Sequence, residues 1–132
     1  MKSSQLNSSE QPLTISASKP RDNPCLSHDP NAAAVAVLTD DGISYLLPYA
    51  QFLYAKRTVN PALDKEPEAP PEKMCIHFAG AEVIVLGCGL KRLERQLQQY
   101  ELSFVMPADS RLSAVYDTLI TAVTVALTKE SL

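Results

Sequence analysis

The chain reads as an α+β protein: a single small domain with a mainly antiparallel sheet of five or six strands and one amphipathic helix packed on it. Three observations predict this. Short apolar or alternating runs recur between turn signals, which is how strands are spaced. Asp40-Asp41-Gly42 sits between two such runs, and Asp-Gly in that setting marks a hairpin. One segment alone, Leu90 to Tyr100, has the 3.6-residue apolar period of a surface helix. The expected order is β-β-(β)-loop-β-β-α-β-β.

Met1 to Asn31 is rich in Ser and Pro with scattered Leu and Ile. It cannot bury enough apolar surface to offset the entropy of ordering, so residues 1–31 are expected to form a disordered polar tail. The domain then covers residues 32–132. Ala34 to Thr39 (AVAVLT) is the first strand and Ile43 to Leu47 (ISYLL) its hairpin return. Pro48 lacks an N–H and should interrupt the ladder. Tyr49 to Arg57 (YAQFLYAKR) fits strand parity and a helical face alike, and is read as a strand.

Thr58 to Lys73 (TVNPALDKEPEAPPEK) has four of the 10 prolines and a charge of −2. Residues of about 58–73 are therefore expected to form a disordered insertion between strands. Beyond it, Met74 to Phe78 (MCIHF) alternates, with Cys75 and His77 on one side. Glu82 to Leu86 returns as a central strand apolar on both faces. In the helix, Leu90, Leu93, Leu97 and Tyr100 make the stripe, and the segment carries +2. Ser103 to Met106 is a further strand. Ser110 to Asp117 fits a short helix, and Ile120 to Thr128, dense in β-branched residues, is read as a strand, with a continuous helix from Ser110 to Lys129 as the competitor.

Composition excludes several classes of function. The net charge is −3, so no basic footprint for nucleic acid stands out. No apolar run approaches the roughly 20 residues of a membrane-spanning helix, and no apolar leader opens the chain. The odd count of three Cys argues against a disulfide framework and fits a reducing compartment, so a cytoplasmic protein is expected. No nucleophile elbow, zinc-protease motif or P-loop is present. No catalytic residues, metal or cofactor are assigned.

The chemistry-bearing candidates are few. Val83 to Leu93 (VIVLGCGLKRL) resembles the glycine-rich nucleotide-binding turn of Rossmann-like dehydrogenases and methyltransferases, where backbone N–H groups hold a phosphate. The third glycine of that pattern falls on Arg92, and the preceding element is a hairpin strand. Gly87 and Gly89 are thus read as a tight strand-to-helix turn. A small anionic ligand at Gly87, Cys88, Gly89, Lys91 and Arg92 is retained as an alternative function. Cys88 at a helix start beside Lys91 and Arg92 is a candidate reactive thiol. Cys25, His28, Cys75, His77 and Cys88 are the potential metal ligands, but lack the paired knuckles of a zinc site. Asp40 is read as a solvated turn residue. Tyr49 to Arg57, with three aromatics beside Lys56-Arg57, supports weak nucleic-acid binding as a second alternative.

The small core favours a non-enzymatic protein-interaction or regulatory module, with a protein partner or self-association covering the strand edges.

Overall fold

The computed structural model describes residues 23–109, 111 and 116–128. Among them are eight strands in two four-stranded sheets, and one α-helix. The fold is α+β and mostly strand. The expected single sheet of five or six strands is corrected to two sheets sharing one core.

The first sheet has the order β1 (Leu26–His28), β7 (Leu102–Val105), β2 (Ala34–Leu38) and β3 (Ser44–Pro48). The second has β4 (Phe52–Val59), β5 (Glu72–Phe78), β6 (Ala81–Cys88) and β8 (Leu119–Leu127). Each rests on alternation: Val35 and Val37 point inward from β2, Met74, Ile76 and Phe78 from β5, and Val83 and Val85 from β6. These side chains join Leu102, Val105, Leu119, Ile120 and Val123 in one buried cluster. The pairing is antiparallel except between β2 and β7, where Ala36 lies beside Phe104 and Val37 beside Val105 in parallel.

The hairpin forms at Asp40-Asp41-Gly42. Gly42 supplies a left-handed φ of 84°, and the Thr39 N–H donates to the Ile43 carbonyl at 2.9 Å. Pro48 ends β3 opposite Ala34. A single 3-10 turn, Tyr49–Gln51, then swings the chain into the second sheet, where β4 begins. The ambiguous segment is thus divided between a turn and a strand. β6 is central in its sheet, as expected, but only one face is fully buried; Ile84 and Leu86 on the other are half-exposed.

The helix, α1 (Lys91–Gln98), buries Leu93 and Leu97 behind the buried Leu90. It stops before Tyr100, which adopts φ 57°. The Tyr100 N–H bonds to the Leu97 carbonyl and the Glu101 N–H to the Gln96 carbonyl, the paired bonds of a Schellman ending. Tyrosine holds the left-handed position usually given to glycine, while its ring packs edge-on against Tyr49 at 5.4 Å and Phe52 at 6.2 Å.

Two expectations change at longer range, and one holds against its competitor. The polar N-terminal stretch does not extend to residue 31 as a tail: Cys25 is fully buried and Leu26–His28 form β1, because β7 offers an edge that these residues complete. Residues 1–22 lie outside the described residues. The loop between β4 and β5 spans residues 60–71 and is built rather than featureless. Asn60 is buried at its neck, where its backbone N–H donates to the Pro71 carbonyl, its side-chain amide donates to the Pro70 carbonyl, and its side-chain oxygen accepts from Ala62 N–H at the start of the 3-10 turn Pro61–Asp64. Finally, Leu119–Leu127 is a strand, so the continuous-helix competitor is set aside; residues 110 and 112–115 of the expected short helix lie outside the described residues.

Candidate functional site: an open strand edge beside the helix

The outermost strands of the two sheets meet different fates. On one side, β8 is held to the first sheet. Ile120 N–H donates to Cys25 Sγ at 3.2 Å and Ala108 N–H donates to the Ile120 carbonyl at 2.8 Å. The Asp40 N–H donates to the Val123 carbonyl, and Asp40 Oδ1 accepts from Val123 N–H at 2.9 Å. Asp40 is exposed in its turn, as expected, and is an edge anchor as well. The buried Cys25 thiol has its pKa raised, chiefly by burial.

On the opposite side lie β3 and β4, and no strand pairs with the outer edge of either among the described residues. β3 is five residues long and ends in proline, which limits what can add to it. β4 is eight residues long and proline-free, and pairs with β5 along its inner edge only. It is exposed over most of its length, with Leu53 62 %, Tyr54 53 % and Val59 70 % accessible. A shallow groove of about 350 Å³ runs beside it, bounded by Phe52, Tyr54 and Ala55 and by Glu94, Leu97 and Gln98 of α1. Arg57 ties the strand to the helix: its Nε donates to Glu94 Oε1 at 2.9 Å, and its guanidinium lies 4.0 Å from Glu72.

The aromatic residues of Tyr49 to Arg57 separate. Tyr49 turns inward, and its hydroxyl donates to the Leu102 carbonyl at 2.7 Å. Burial pushes its pKa up to about 12. Phe52 packs on Phe78. Only Tyr54 is left outside, stacked on His77 at 4.3 Å. Lys56 and Arg57 stay exposed, on opposite faces of the strand.

The remaining candidates are placed as follows. Gly87 lies in β6, where a Cβ would overlap the Leu119 carbonyl; Gly89 has φ +63° and a Cβ there would overlap the Asp117 carbonyl. Both glycines are needed for the close approach of the chain entering β8. The Leu90 N–H at the helix start is bonded to Glu72 Oε1 at 2.9 Å, so the chain's own carboxylate occupies the position an anion would take. Lys91 and Arg92 project from α1 into solvent. Cys88 is half-buried in a cleft of about 360 Å³ walled by Pro70, Pro71 and Leu119.

Cys75 and His77 share the outer face of β5, where His77 Nε2 lies 3.3 Å from Glu82 Oε2, and burial raises the Cys75 thiol pKa. Cys88 lies at the far end of β6 from Glu82, and all three cysteines are free thiols. Among the described residues no three His, Cys, Asp or Glu side chains are grouped to hold a metal ion, and no helix is long and apolar enough to cross a membrane.

Sequence reasoning missed the β4–α1 groove because the strand and the helix are separated by three other elements. The available signal was that no acidic residue follows Phe52 before Asp64, while Lys56 and Arg57 interrupt an otherwise apolar strand. No known family, no curated protein and no solved structure matches the chain.

Proposed function

We propose that the chain is a non-enzymatic protein-interaction module whose docking element is the outer edge of β4. One observation supports this above the others: an eight-residue, proline-free strand is left, among the described residues, with an open main-chain edge. Natural sheets protect such edges by shortening, covering or closing them. Among the described residues β3 is short and β8 is anchored by hydrogen bonds, whereas β4 is long and carries only Lys56, Arg57 and a bulge between Phe52 and Tyr54 against pairing. An open edge offers a row of N–H and C=O groups to an incoming strand, and Leu53 and Val59 offer apolar surface to its side chains. The three free thiols support a cytoplasmic setting, where a reducing milieu keeps them so.

The anion reading of Gly87 to Arg92 has less to support it, since close chain approach accounts for both glycines and Glu72 fills the helix start.

The test is a display library of random extended peptides selected on the full chain, followed by amide chemical-shift mapping of the winners. The expected result is shifts concentrated at residues 52–59. A second copy is one protein able to use the same edge, and light scattering over a dilution series, with the same mapping, detects it. No selected peptide and no self-association through these residues would overturn the proposal, as would shifts confined to residues 87–92.

A further inference from the structure

A second surface, separate from the β4 edge, lies on the outer face of the first sheet. Alternation turns Val35 and Val37 of β2 into the core, so Ala34, Ala36 and Leu38 face outward. The register sets Leu46 of β3 on one side of Ala36 and Phe104 of β7 on the other, with Ser27 of β1 beyond Phe104. In the flanking rows Pro48 lies beside Ala34 and Ser44 beside Leu38. Leu46 is 70 % accessible, and neither Leu38, Leu46 nor Phe104 belongs to the buried cluster or packs against it.

No charged side chain stands in these rows, and Ser27 and Ser44 are their only polar ones. The outer face of the second sheet is unlike it: Lys56, Lys73, His77 and Glu82 are spread across that face, as on a sheet that meets water. A contiguous apolar face without charge is the mark of a contact surface.

We infer that this face is covered by the same face of a second copy of the chain, the two sheets stacking as in a β-sandwich. The middle row runs large, small, large: Ala36 lies in a trough between Leu46 and Phe104, and Ala34 continues the trough beside Pro48. A covering surface must be apolar and must set large side chains over the alanines. The face supplies that complement itself. With two copies offset by one strand, Leu46 of each lies over Ala36 of the other, and two-fold symmetry makes the contact twice. The repeat of two residues along each strand, and of one strand spacing across them, is shared by the second sheet. A nucleic acid or a charged peptide finds no counter-charge here. The face is four strands wide and five residues long at β2, which is small for a specific interface. The dimer is therefore reversible, half-dissociated at roughly 0.1 mM.

The experiment is sedimentation equilibrium of the full chain, from well below to well above that concentration, with amide shifts followed over the same dilution series. The expected result is a monomer–dimer equilibrium whose shifts fall on residues 34–38, 44–48 and Phe104. Leu46→Lys should raise the dissociation constant by at least about tenfold, because an apolar contact is lost twice. Leu46→Thr should act in the same direction by less. Thr124→Lys, on the exposed outer face of the second sheet, should leave the equilibrium unchanged. Thermal melting of all three variants in dilute solution should match the native chain, since both positions are exposed in the monomer.

A strict monomer throughout would overturn the proposal and leave the face to a helix or sheet of a different protein. Association with shifts confined to residues 52–59 would also overturn it, in favour of pairing through the β4 edge. So would a dimer indifferent to Leu46→Lys, or a mass that grows without closing at two copies.

Discussion

The two sides of this molecule solve the same problem in opposite ways. Where β8 approaches the first sheet, the inward residues are sealed: Cys25, Leu119, Ile120 and Val123 have no accessible surface. Hydrogen bonds with Cys25, Asp40 and Ala108 occupy the outer edge of β8 at Ile120 and Val123. Where β3 and β4 lie, the inward residues Tyr45, Leu47, Tyr49, Phe52 and Ala55 pack against the core but stay partly open, and among the described residues no strand pairs with the outer edge of β4. Helix α1 covers this side only in part. The difference separates a side whose main-chain groups are bonded within the chain from one whose strand edge is left open among the described residues. A closed seam spends its main-chain groups on the chain itself; an open one keeps them available, at the cost of a weaker local structure.

The comparison is tested most severely at Gly87. If the closed side depends on close approach of the strands, Gly87→Ala forces a methyl group onto the Leu119 carbonyl and must push the start of β8 outward. Overpacking against backbone predicts a loss of about 3 kcal/mol, read as a fall in the urea midpoint. A loss below about 0.5 kcal/mol, the range of an ordinary surface change, would show that β8 does not press on β6 there. The glycine would then be free to serve a ligand.

Cys25 probes the hydrogen bonding of the same seam. Its thiol accepts from Ile120 N–H and donates to the Ile120 carbonyl, so Cys25→Ala leaves a buried N–H without that partner. The expected loss is about 1–2 kcal/mol. Cys25→Ser, which keeps a donor and an acceptor, should recover part of it. Equal losses for both variants would mean that the sulfur acts by packing alone. Amide exchange at Ile120 should rise with Cys25→Ala and remain unchanged at β4.

What could be read from the sequence follows the range of the interactions. The Asp-Gly hairpin, the alternation of β2, β5 and β6, and the helix stripe are decided by residues a few positions apart, and all appear in the structure. The closed seam joins Cys25 to Ile120, 95 residues apart, and Asp40 to Val123, 83 apart, and no local pattern announces such pairs. Cys25 therefore looked like part of a solvated tail, and Asp40 like a simple turn residue. The division into two sheets was hidden for the same reason: the 3-10 turn after Pro48, which moves the chain from one sheet to the other, is three residues long. At the candidate site, the basic pair and the aromatics of Tyr49 to Arg57 were visible, but strand parity could not show that Tyr49 and Phe52 turn inward while Tyr54 stays out. Gly87 and Gly89 illustrate the converse. Their spacing matched a phosphate turn, yet the constraint came from β8, more than 25 residues further along.

The smallest expected effect lies on the open side, where Tyr49 is the main polar link between the start of β4 and the first sheet. Tyr49→Phe removes the hydroxyl that donates to the Leu102 carbonyl while keeping the ring against Phe52 and Tyr100. The predicted loss is about 1 kcal/mol at neutral pH, less than at either position on the closed side. Its pH dependence has a definite sign. Burial favours the neutral phenol, raising the folded-state pKa from 10.0 to about 12. A group raised in this way stabilises the fold fully below its unfolded value and loses that contribution as pH climbs through the folded value. The stability gap between the native chain and Tyr49→Phe should therefore hold constant up to about pH 10 and close between 10 and 12. Denaturant melts of the two proteins across that range measure it. A gap that stays constant to pH 12 would mean that the hydroxyl titrates as it does in solvent, and the open side would then admit water further toward the core than the packing of Tyr49 indicates.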